Sequence, residues 1–349
     1  MISRASVPVS EERLLALVDA MAGRRILMLV DLVADRFVTG IPKRISREAP
    51  VLILRWSGES LVPGGGANAA VSVRALGGNP RTHGLIGDDA SGVELKRALE
   101  ERGVDTNAIF VRAGYQTPTK TRILAGFPTG IKQQIVRFDR EVEARLSAAE
   151  LERLERGIGE SRDARVAILS DYGYGTVAPE LVAAARSAVG PEGVVLVDSR
   201  FRLAAYRGVD GATPNEEEAE TLLGRPLDDA GGDDARAGDE IRRRLDARFL
   251  LVTRGSRGMS LFDAQGATRI PVHGTDQVAD VTGAGDTVIG TFALALAAGA
   301  SPLEAALLAN YAGGVVVMKM GTATVSPDEL RLAIRSDLRP LKEMRWAKS

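Results

Sequence analysis

The sequence predicts an α/β protein with a doubly wound, mostly parallel β-sheet, helices on both faces of that sheet, and a small second β-sheet. Short apolar runs alternate along the chain with segments of helical periodicity, which is typical of a parallel sheet covered by helices. Two regions, near residues 37–61 and 117–139, lack helical periodicity and are rich in β-branched residues and arginine, as strands of a separate sheet would be. The 349 residues, 45% of them hydrophobic, suffice to bury a large core.

The individual elements follow from the same periodicities. Strands of the large sheet are predicted at residues 25–31, 166–170, 193–198 and 249–253, and helices at residues 67–76, 92–102, 179–189, 215–223, 286–298 and 302–320. Residues 227–240, rich in Asp and Gly, are interpreted as a solvated loop and helix entry. The predicted organisation is an N-terminal extension (1–22), one α/β domain carrying the second sheet (23–335) and a C-terminal tail (336–349).

Charge and residue content exclude several classes of function. Lys and Arg total 45 against 46 Asp and Glu, so no global basic field favours nucleic acid or an anionic membrane. The absence of cysteine excludes disulfides, thiolate zinc sites and cysteine nucleophiles, and fits a reducing cytoplasm. The two histidines, His83 and His273, argue against a His-based metal centre or a Ser-His-Asp triad. Neither a secretory signal nor an uncharged apolar stretch of ~18 residues is present, so we expect a cytoplasmic protein.

The sequence DVTGAGDT at residues 280–287 enters an apolar segment and predicts an anion site at a helix start. Bare backbone N–H groups and the positive end of the helix dipole meet there, and Gly283, Ala284 and Gly285 let a ligand approach closely. Asp286 would repel a phosphate unless it takes a proton from an attacking group. The combination therefore favours phosphoryl transfer to a hydroxyl; the alternative is a glycine-rich helix cap with Asp286 as a first-turn acid.

A second glycine turn, PGGGANAA at residues 63–70, also enters a predicted helix. It is not GxGxxG, and it lies far beyond the first predicted strand, whereas a nicotinamide-binding unit has its glycine turn directly after that strand. The turn therefore argues against a dehydrogenase.

The two glycine runs together resemble the N- and C-terminal signatures of the ribokinase-like (PfkB) sugar kinases. The resemblance implies that the backbone of residues 283–285 forms an anion hole and that Asp286 is the catalytic base. It implies a sugar site containing Asn68 with Gly65 and Gly66, together with Asp35 after the first strand. It also implies that the second sheet is a β-lid over the sugar and that the protein is a homodimer formed through this lid.

Further stretches narrow the resemblance to the heptose-7-phosphate kinases, the kinase module of bacterial ADP-heptose synthesis. They are residues 44–51, 119–124, 132–141, 169–175, 206–208, 213–218, 251–261 and 321–327, and the similarity runs from about residue 26 to residue 330. The implied reaction is ATP-dependent phosphorylation of the anomeric hydroxyl of D-glycero-D-manno-heptose 7-phosphate, to the 1,7-bisphosphate needed for the lipopolysaccharide core. It places Asp171, in LSDYGYG, among the substrate-binding residues. The chain ends near the end of that module, so we expect a stand-alone kinase.

Three cations of the lid segments are candidates to bind the phosphate of the acceptor. Lys120 and Arg122 occupy alternate positions of one predicted strand and would share a face, and Arg137 lies in the next strand. Cations above an anion hole suit a phosphorylated substrate, and Arg44 is a further candidate. The alternative is that these charges keep an edge strand soluble.

The nucleotide side is assigned by the resemblance, which implies ATP and Mg²⁺ as cofactors. Asn215 and Glu218 match an N-x-x-E element that organises Mg²⁺ through water, in keeping with the waters this ion retains. The segment beside the triphosphate comprises Thr253, Arg254, Gly255 and Gly258. Asn310 is placed beside the adenine; alternatively it is an ordinary helix-surface amide.

Three positions depart from the family pattern. Val30 replaces the usual Gly at the end of the first strand, which would crowd the sugar pocket; Tyr174 replaces a common Lys; and Arg200 stands in a DPK-like element that reads DSR. These changes bear on the acceptor and leave the kinase chemistry intact, so a PfkB-type kinase of another sugar or sugar phosphate is one alternative. The other is a nucleotide or sugar sensor without catalysis, against which Asp286 argues.

Overall fold

The computed structural model describes residues 9–127, 129–130, 132–227, 233–274 and 279–347. Several predicted segments therefore lie partly outside the described residues. These are the start of the extension (1–8), two positions of the lid (128 and 131), part of the predicted loop (228–232) and the end of the tail (348–349).

Strands and helices alternate through most of the chain. The strands are β1 (Arg25–Val30), β2 (Leu32–Ile45), β3 (Leu52–Gly65), β4 (Asn79–Gly87), β5 (Ile109–Arg112), β6 (Thr119–Ala125), β7 (Gln133–Arg140), β8 (Val166–Asp171), β9 (Val194–Ser199), β10 (Gly211–Ala212), β11 (Phe249–Thr253), β12 (Met259–Asp263), β13 (Gly266–Ile270) and β14 (Arg345–Ala347). The helices are α1 (Glu11–Ala20), α2 (Gly66–Ala75), α3 (Ala90–Glu101), α4 (Ala148–Gly159), α5 (Leu181–Val189), α6 (Glu216–Leu223), α7 (Asp233–Arg244), α8 (Ala284–Ala297), α9 (Pro302–Val317), α10 (Pro327–Ser336) and α11 (Arg339–Lys342).

The large sheet confirms the predicted α/β class. Within the described residues its strand order is β14-β13-β12-β11-β10-β9-β8-β1-β4-β5, parallel from β11 to β5, with β12 to β14 added antiparallel at one edge. Successive side chains of a strand point to opposite faces. Accordingly, Ile26 and Met28 belong to a core that also contains side chains of α1, α2, α8, α9 and α10, whereas Leu27 and Leu29 belong to a core that contains side chains of α4, α5 and α7. Both faces are therefore buried under helices.

The second sheet, called the lid sheet below, consists of β3, β2, β6 and β7 in that order and confirms the prediction of a small separate sheet. Strand β2 pairs antiparallel with β3 and parallel with β6, and β6 pairs antiparallel with β7. Only Asp31 separates β1 of the large sheet from β2, and β3 runs directly into α2 at Gly66. These two connections to the α/β domain thus contain no loop, whereas residues 113–118 lead into β6 and residues 141–147 follow β7.

The predicted terminal segments are partly integrated into the α/β domain. Helix α1 begins after the N-cap Ser10 and buries Leu14 and Leu17 in the core that it shares with α10. At the other end, β14 pairs with β13 and extends the large sheet. These described parts of the predicted extension and tail are structural elements of the domain, because their apolar side chains and backbone hydrogen bonds belong to its core and its sheet.

The predicted solvated loop and helix entry at residues 227–240 coincides with the start of helix α7, but it is less solvated than expected. Helix α7 already begins at Asp233, and both Leu227 and Ala237 are buried against the large sheet. The high content of charged residues concealed this amphipathic helix. Among the described residues, no helix is both long enough and apolar enough to cross a membrane.

Candidate active site

A cavity of about 750 Å³ opens beside the start of α8, a volume suited to a nucleotide-sized ligand. It is bounded by Gly285 at the start of α8, Thr253 at the end of β11, Asn215 before α6 and Asn310 in α9. The structure thus brings most of the predicted nucleotide-side positions together, since Arg254, Gly255 and Gly258 line the same cavity. Glu218 lines an adjacent cavity that also contains Asn215. Asn310 is buried and donates from Nδ2 to the carbonyl oxygen of Pro271 (2.9 Å), so it is not an ordinary surface amide.

The start of α8 forms one wall of this cavity, and its two glycines differ in conformation. Gly283 is the N-cap and has φ = 78°, in the left-handed region that favours glycine. Gly285 lies inside the first turn, without positive φ, and a Cβ at this position would meet no atom within 4 Å. The helix begins at Ala284, two residues before the predicted start, and Ala284 and Gly285 of its first turn line the cavity. The first N–H groups of a helix have no partner within the helix.

Asp286 lies in that first turn, only 3% exposed. Asn68 Nδ2 donates to its Oδ2 (3.0 Å), and the hydroxyl of Tyr172 donates to its Oδ1 (2.7 Å). Burial raises the pKa of Asp286 to about 7, although the hydrogen bonds from Asn68 and Tyr172 act in the opposite direction. A carboxylate with such a pKa can accept a proton at neutral pH and release it again.

The lid cations and Asp35 lie on one face of the lid sheet. In the strand register, Lys120 is opposite Asp35, and Arg122 is opposite Arg137. Arg122 Nη1 forms an ion pair with Asp35 Oδ1 (2.7 Å), and both side chains are largely buried. Arg137 is half exposed and pairs with Asp139. The predicted shared face of Lys120 and Arg122 is therefore present, whereas Arg44 lies at the exposed far end of β2.

The glycine turn before α2 is packed against the lid root and the strand ends. A Cβ at Gly64 would collide with the carboxyl group of Asp35, and one at Gly65 would contact the ring of Tyr172. A Cβ at Gly66 would lie 2.5 Å from Cβ of Val30. Val30 therefore fills the space under this turn.

Asp171 does not reach the cavity, and its predicted place among the substrate-binding residues is corrected. Its carboxylate is 1% exposed and accepts hydrogen bonds from Ser199 Oγ (2.8 Å), Tyr206 OH (2.8 Å), Arg202 Nη2 (2.7 Å) and the Gly173 backbone N–H (2.9 Å). These donors occupy both oxygens and leave no surface for a sugar. Asp171 is a structural acid that holds the strand ends and loops around it.

Asp31 is a second buried acid that sequence reasoning did not assign. Its carboxylate accepts hydrogen bonds from four backbone N–H groups of the segment after β8: those of Tyr172, Tyr174, Thr176 and Val177. Burial raises its pKa to about 6. The side chain of Tyr174 points away from Asp286, with its hydroxyl near Glu141 (3.4 Å), so it does not replace the missing Lys. The segment that Asp31 holds begins in the motif LSDYGYG, at residues 169–175, but the motif itself contains a different acid, Asp171. The sequence alone therefore does not show that Asp31 binds the backbone of this turn.

Glu218 and Asp198 form the acidic side of the site. Glu218 Oε2 accepts from the Asn215 backbone N–H (3.0 Å), and Asn215 Oδ1 accepts from the Glu218 N–H (2.9 Å), so the predicted N-x-x-E element is also the capping box of α6. Burial raises the pKa of Asp198 well above its usual value, and the nearby carboxylates of Glu218 and Asp286 raise it further. Sequence reasoning missed Asp198 because only its spatial neighbours distinguish it.

This donor set fits Mg²⁺ held mainly by water and phosphate oxygens. In the described part of the chain, no three His, Asp or Glu side chains converge as a complete metal cage. The negative charges of Glu218 and Asp198 oppose each other's ionisation, and a nearby divalent cation would reduce this repulsion. Arg200 lies near enough to both Lys120 and Glu218 to contribute to their electrostatic surroundings.

Comparison with known proteins identifies the family. The model of the pfkB family carbohydrate kinases matches residues 28–329. The chain belongs to this family. Among curated pfkB relatives, the bifunctional protein HldE of Mesorhizobium japonicum is 39% identical over 340 residues, covering 94% of this chain and 65% of that protein. HldE of Methylococcus capsulatus is 41% identical over 321 residues, covering 90% and 65%. The chain thus spans about 65% of the length of these relatives.

Solved pfkB-type structures share the fold. Phosphofructokinase-2 from Escherichia coli, in complex with substrates and products, superposes with a TM-score of 0.71 at 23% identity, covering 90% of this chain and 99% of that one. Ribokinase from Arabidopsis thaliana, complexed with ribose and ATP, gives 0.68 at 21% identity with the same coverage. The predicted ribokinase-like fold is confirmed, and the protein is a carbohydrate kinase.

Proposed function

We propose that this kinase transfers the γ-phosphoryl group of ATP to the anomeric hydroxyl of D-glycero-D-manno-heptose 7-phosphate, giving the 1,7-bisphosphate and ADP. The observation that carries the proposal is the buried Asp286 carboxylate at the start of α8, between the nucleotide-sized cavity and the lid cations. Similarity to HldE and to the heptose-7-phosphate kinase motifs supports the choice of acceptor. Cytoplasmic localisation and a role in ADP-heptose biosynthesis remain predictions.

In the proposed reaction, Asp286 takes the proton of the acceptor hydroxyl while that oxygen forms a bond to the γ-phosphorus. The bond from the γ-phosphorus to the bridging oxygen breaks, and ADP leaves. N–H groups at the start of α8, with Gly283, Ala284 and Gly285 carrying no bulky side chain, would bind the transferred group. Mg²⁺, held through water near Glu218, would neutralise charge on the phosphates.

The acceptor is proposed to bind between the lid sheet and the glycine turn before α2. Asp35 would accept hydrogen bonds from sugar hydroxyls. Asn68, which donates to the catalytic base Asp286, would also contact the sugar. Lys120, Arg122 and Arg137 would bind the acceptor phosphate. The Arg122–Asp35 ion pair keeps both groups oriented towards the same space.

The acceptor assignment is tested by ADP release with a panel of heptose 7-phosphate, sedoheptulose 7-phosphate, fructose 6-phosphate, ribose, fructose and adenosine. Heptose 7-phosphate is expected to give the highest kcat/KM, with the product phosphorylated at carbon 1. Preference for a free sugar or nucleoside would refute the heptose assignment and leave the kinase intact. No ADP formation with any acceptor would favour the alternative of a catalytically silent sensor.

The role of the lid cations is tested by Arg122→Gln and Arg137→Gln. Each lost charge-assisted hydrogen bond contributes roughly 1.5–3 kcal/mol, so kcat/KM for the phosphorylated acceptor should fall about tenfold or more, with ATP affinity nearly unchanged. Lys43→Gln removes an exposed lid cation at the far end of β2 and serves as the matched control. If both arginine variants behave like this control, the cations serve solubility alone.

A further inference from the structure

We propose that Tyr172 is a positioning residue for the catalytic base: its hydroxyl, bonded to Oδ1 of Asp286, orients the carboxylate towards the acceptor and favours its ionised form. The hydroxyl donates over 2.7 Å between residues 114 positions apart in the sequence. The inference rests on the proposed function, in which Asp286 accepts the proton of the sugar hydroxyl. It adds a residue that none of the recognised motifs assigns to this task.

Tyr172 is itself held from several sides. Its backbone N–H donates to Asp31 Oδ2 (2.9 Å), and Gly65 packs against the edge of its ring. Lys120 Nζ lies over the ring, 5.5 Å from its centroid, within the range of a cation–π contact. The large sheet, the glycine turn and the lid sheet thus all contact the residue whose hydroxyl reaches Asp286, so the phenol is fixed in place.

The hydrogen bonds on Asp286 leave room for a substrate. Tyr172 and Asn68 each donate to a different oxygen of the carboxylate. An ionised carboxylate offers roughly four lone-pair sites. The remaining sites can accept the acceptor hydroxyl while the two neutral donors fix the plane of the group. Both donors therefore act through Asp286.

The charged groups around Asp286 set the direction of the expected effect. Asp35 of β2 disfavours its ionised form, and Lys120 of β6 favours it. Asp198 of β9 also lies nearby, and the charge of Asp286 raises the pKa of Asp198. Burial raises the pKa of Asp286 to about 7, and the hydrogen bonds from Asn68 and Tyr172 lower it. Removing the Tyr172 hydroxyl therefore raises this pKa. Since the base must be ionised to act, the acidic limb of the pH–rate profile then moves to higher pH.

The experiment measures single-turnover phosphorylation of the preferred panel acceptor from pH 5.5 to 9.5 for the wild type and Tyr172→Phe. The wild type should lose activity below about pH 7. In Tyr172→Phe the limb should move up by about one pH unit or more, a drop of about fivefold at pH 7 that largely recovers at high pH. The phenylalanine ring keeps the contacts with Gly65 and Lys120, so folding and ATP affinity should be retained.

Tyr174→Phe is the matched control, since Tyr174 lies on the same loop and its hydroxyl approaches Glu141 instead of Asp286. This variant should keep the wild-type limb. A Tyr172→Phe limb that coincides with that of the wild type would overturn the positioning role. A uniform loss at every pH, without a shift, would mean that Tyr172 only supports the fold.

Asp286→Asn separates this inference from the proposed function. It should bind ATP and lose about 10²–10⁴-fold in turnover. Undiminished turnover in the folded Asn variant would remove Asp286 as the base, and the proposed mechanism with it. A collapse in Asp286→Asn, together with an unshifted limb in Tyr172→Phe, would refute the role of Tyr172 alone.

Discussion

Gly283 and Gly285 belong to one motif yet meet different physical demands. Gly283 has a positive φ, and a side chain there would collide with the amide of Asn68, which holds Asp286. Gly285 has ordinary helical geometry, and space for a side chain is open around it. The fold does not require glycine at position 285. The cavity that Gly285 lines explains why a side chain is absent there.

Gly285→Val should consequently fold normally and lose ATP. A β-branched side chain would occupy the space where phosphate meets backbone, and we expect kcat/KM for ATP to fall about 100-fold. Gly159→Val at the end of α4 is the matched control, because that helical glycine also has open space around it but lies away from the cavity. A thermal melt measures whether each variant folds normally, and steady-state kinetics measure its kcat/KM for ATP. Equal kinetics in the two variants would mean that the motif only caps a helix.

The site could be predicted from sequence wherever its residues stand in local motifs. Asp286 and Asn68 are such residues, and the structure brings them into contact. Tyr172 could not be found this way, since its bond to Asp286 joins distant parts of the chain. Asp31 and Asp171 both follow apolar strands, and only the packed structure distinguishes them from substrate-binding acids such as Asp35.

At the scale of the elements, apolar periodicity over a long segment led to a correct prediction, and a clear start signal alone did not. Helix α9, predicted at residues 302–320, begins with serine, proline and a glutamate that completes a capping box. Helix α10 begins with the same signal, yet this short, strongly charged helix was not predicted. Helix α1 has an equally good N-cap in Ser10, yet its short apolar stripe does not reveal which surface it covers. Its position against α10 depends on contacts across the whole length of the chain.

Removing a buried side chain from α1 should therefore destabilise the whole domain. Leu14 is fully buried, and Leu14→Ala is expected to lower the free energy of unfolding by roughly 2–5 kcal/mol. Leu332→Ala in α10 is the matched control: the same atoms are removed from a side chain that is 66% exposed, with an expected change of about 0.5 kcal/mol or less. Urea denaturation followed by circular dichroism compares the two. Similar midpoints would show that α1 is dispensable for the core.

At the scale of the whole molecule, the lid sheet exposes an apolar surface that the α/β domain does not cover. Phe138, opposite Thr121 in the strand register, lies on the face away from Lys120 and Arg122, and Trp56 of β3 is similarly exposed. Exposed aromatic side chains on one small sheet suit association with another protein surface. The sequence resemblance points to a second copy of the chain as the partner.

We therefore expect a homodimer formed through this face of the lid sheet. Light scattering after size exclusion should give about twice the 37.0 kDa of one chain. Phe138→Ser and Trp56→Ser should each shift the mass towards the monomer, because a polar side chain removes apolar area from the contact. Leu332→Ser, at an exposed leucine of α10, should leave the mass unchanged. A monomeric wild type would exclude the dimer altogether.

The two direct connections of β2 and β3 at the root of the lid sheet set a gradient of stiffness along these strands. Strand β1 enters β2 across Asp31 alone, and β3 enters α2 with no intervening residue, so this side of the root has no hinge loop, whereas residues 113–118 and 141–147 connect β6 and β7 to the α/β domain. Displacement must come from elastic bending of the strands, which grows with distance from the root. Asp35 sits at the stiff end and Arg44 at the compliant end. The enzyme would then discriminate strictly between configurations at the reacting carbon, because the contacts there are rigid. It would tolerate more variation at the remote end of the sugar, because the strands there can bend.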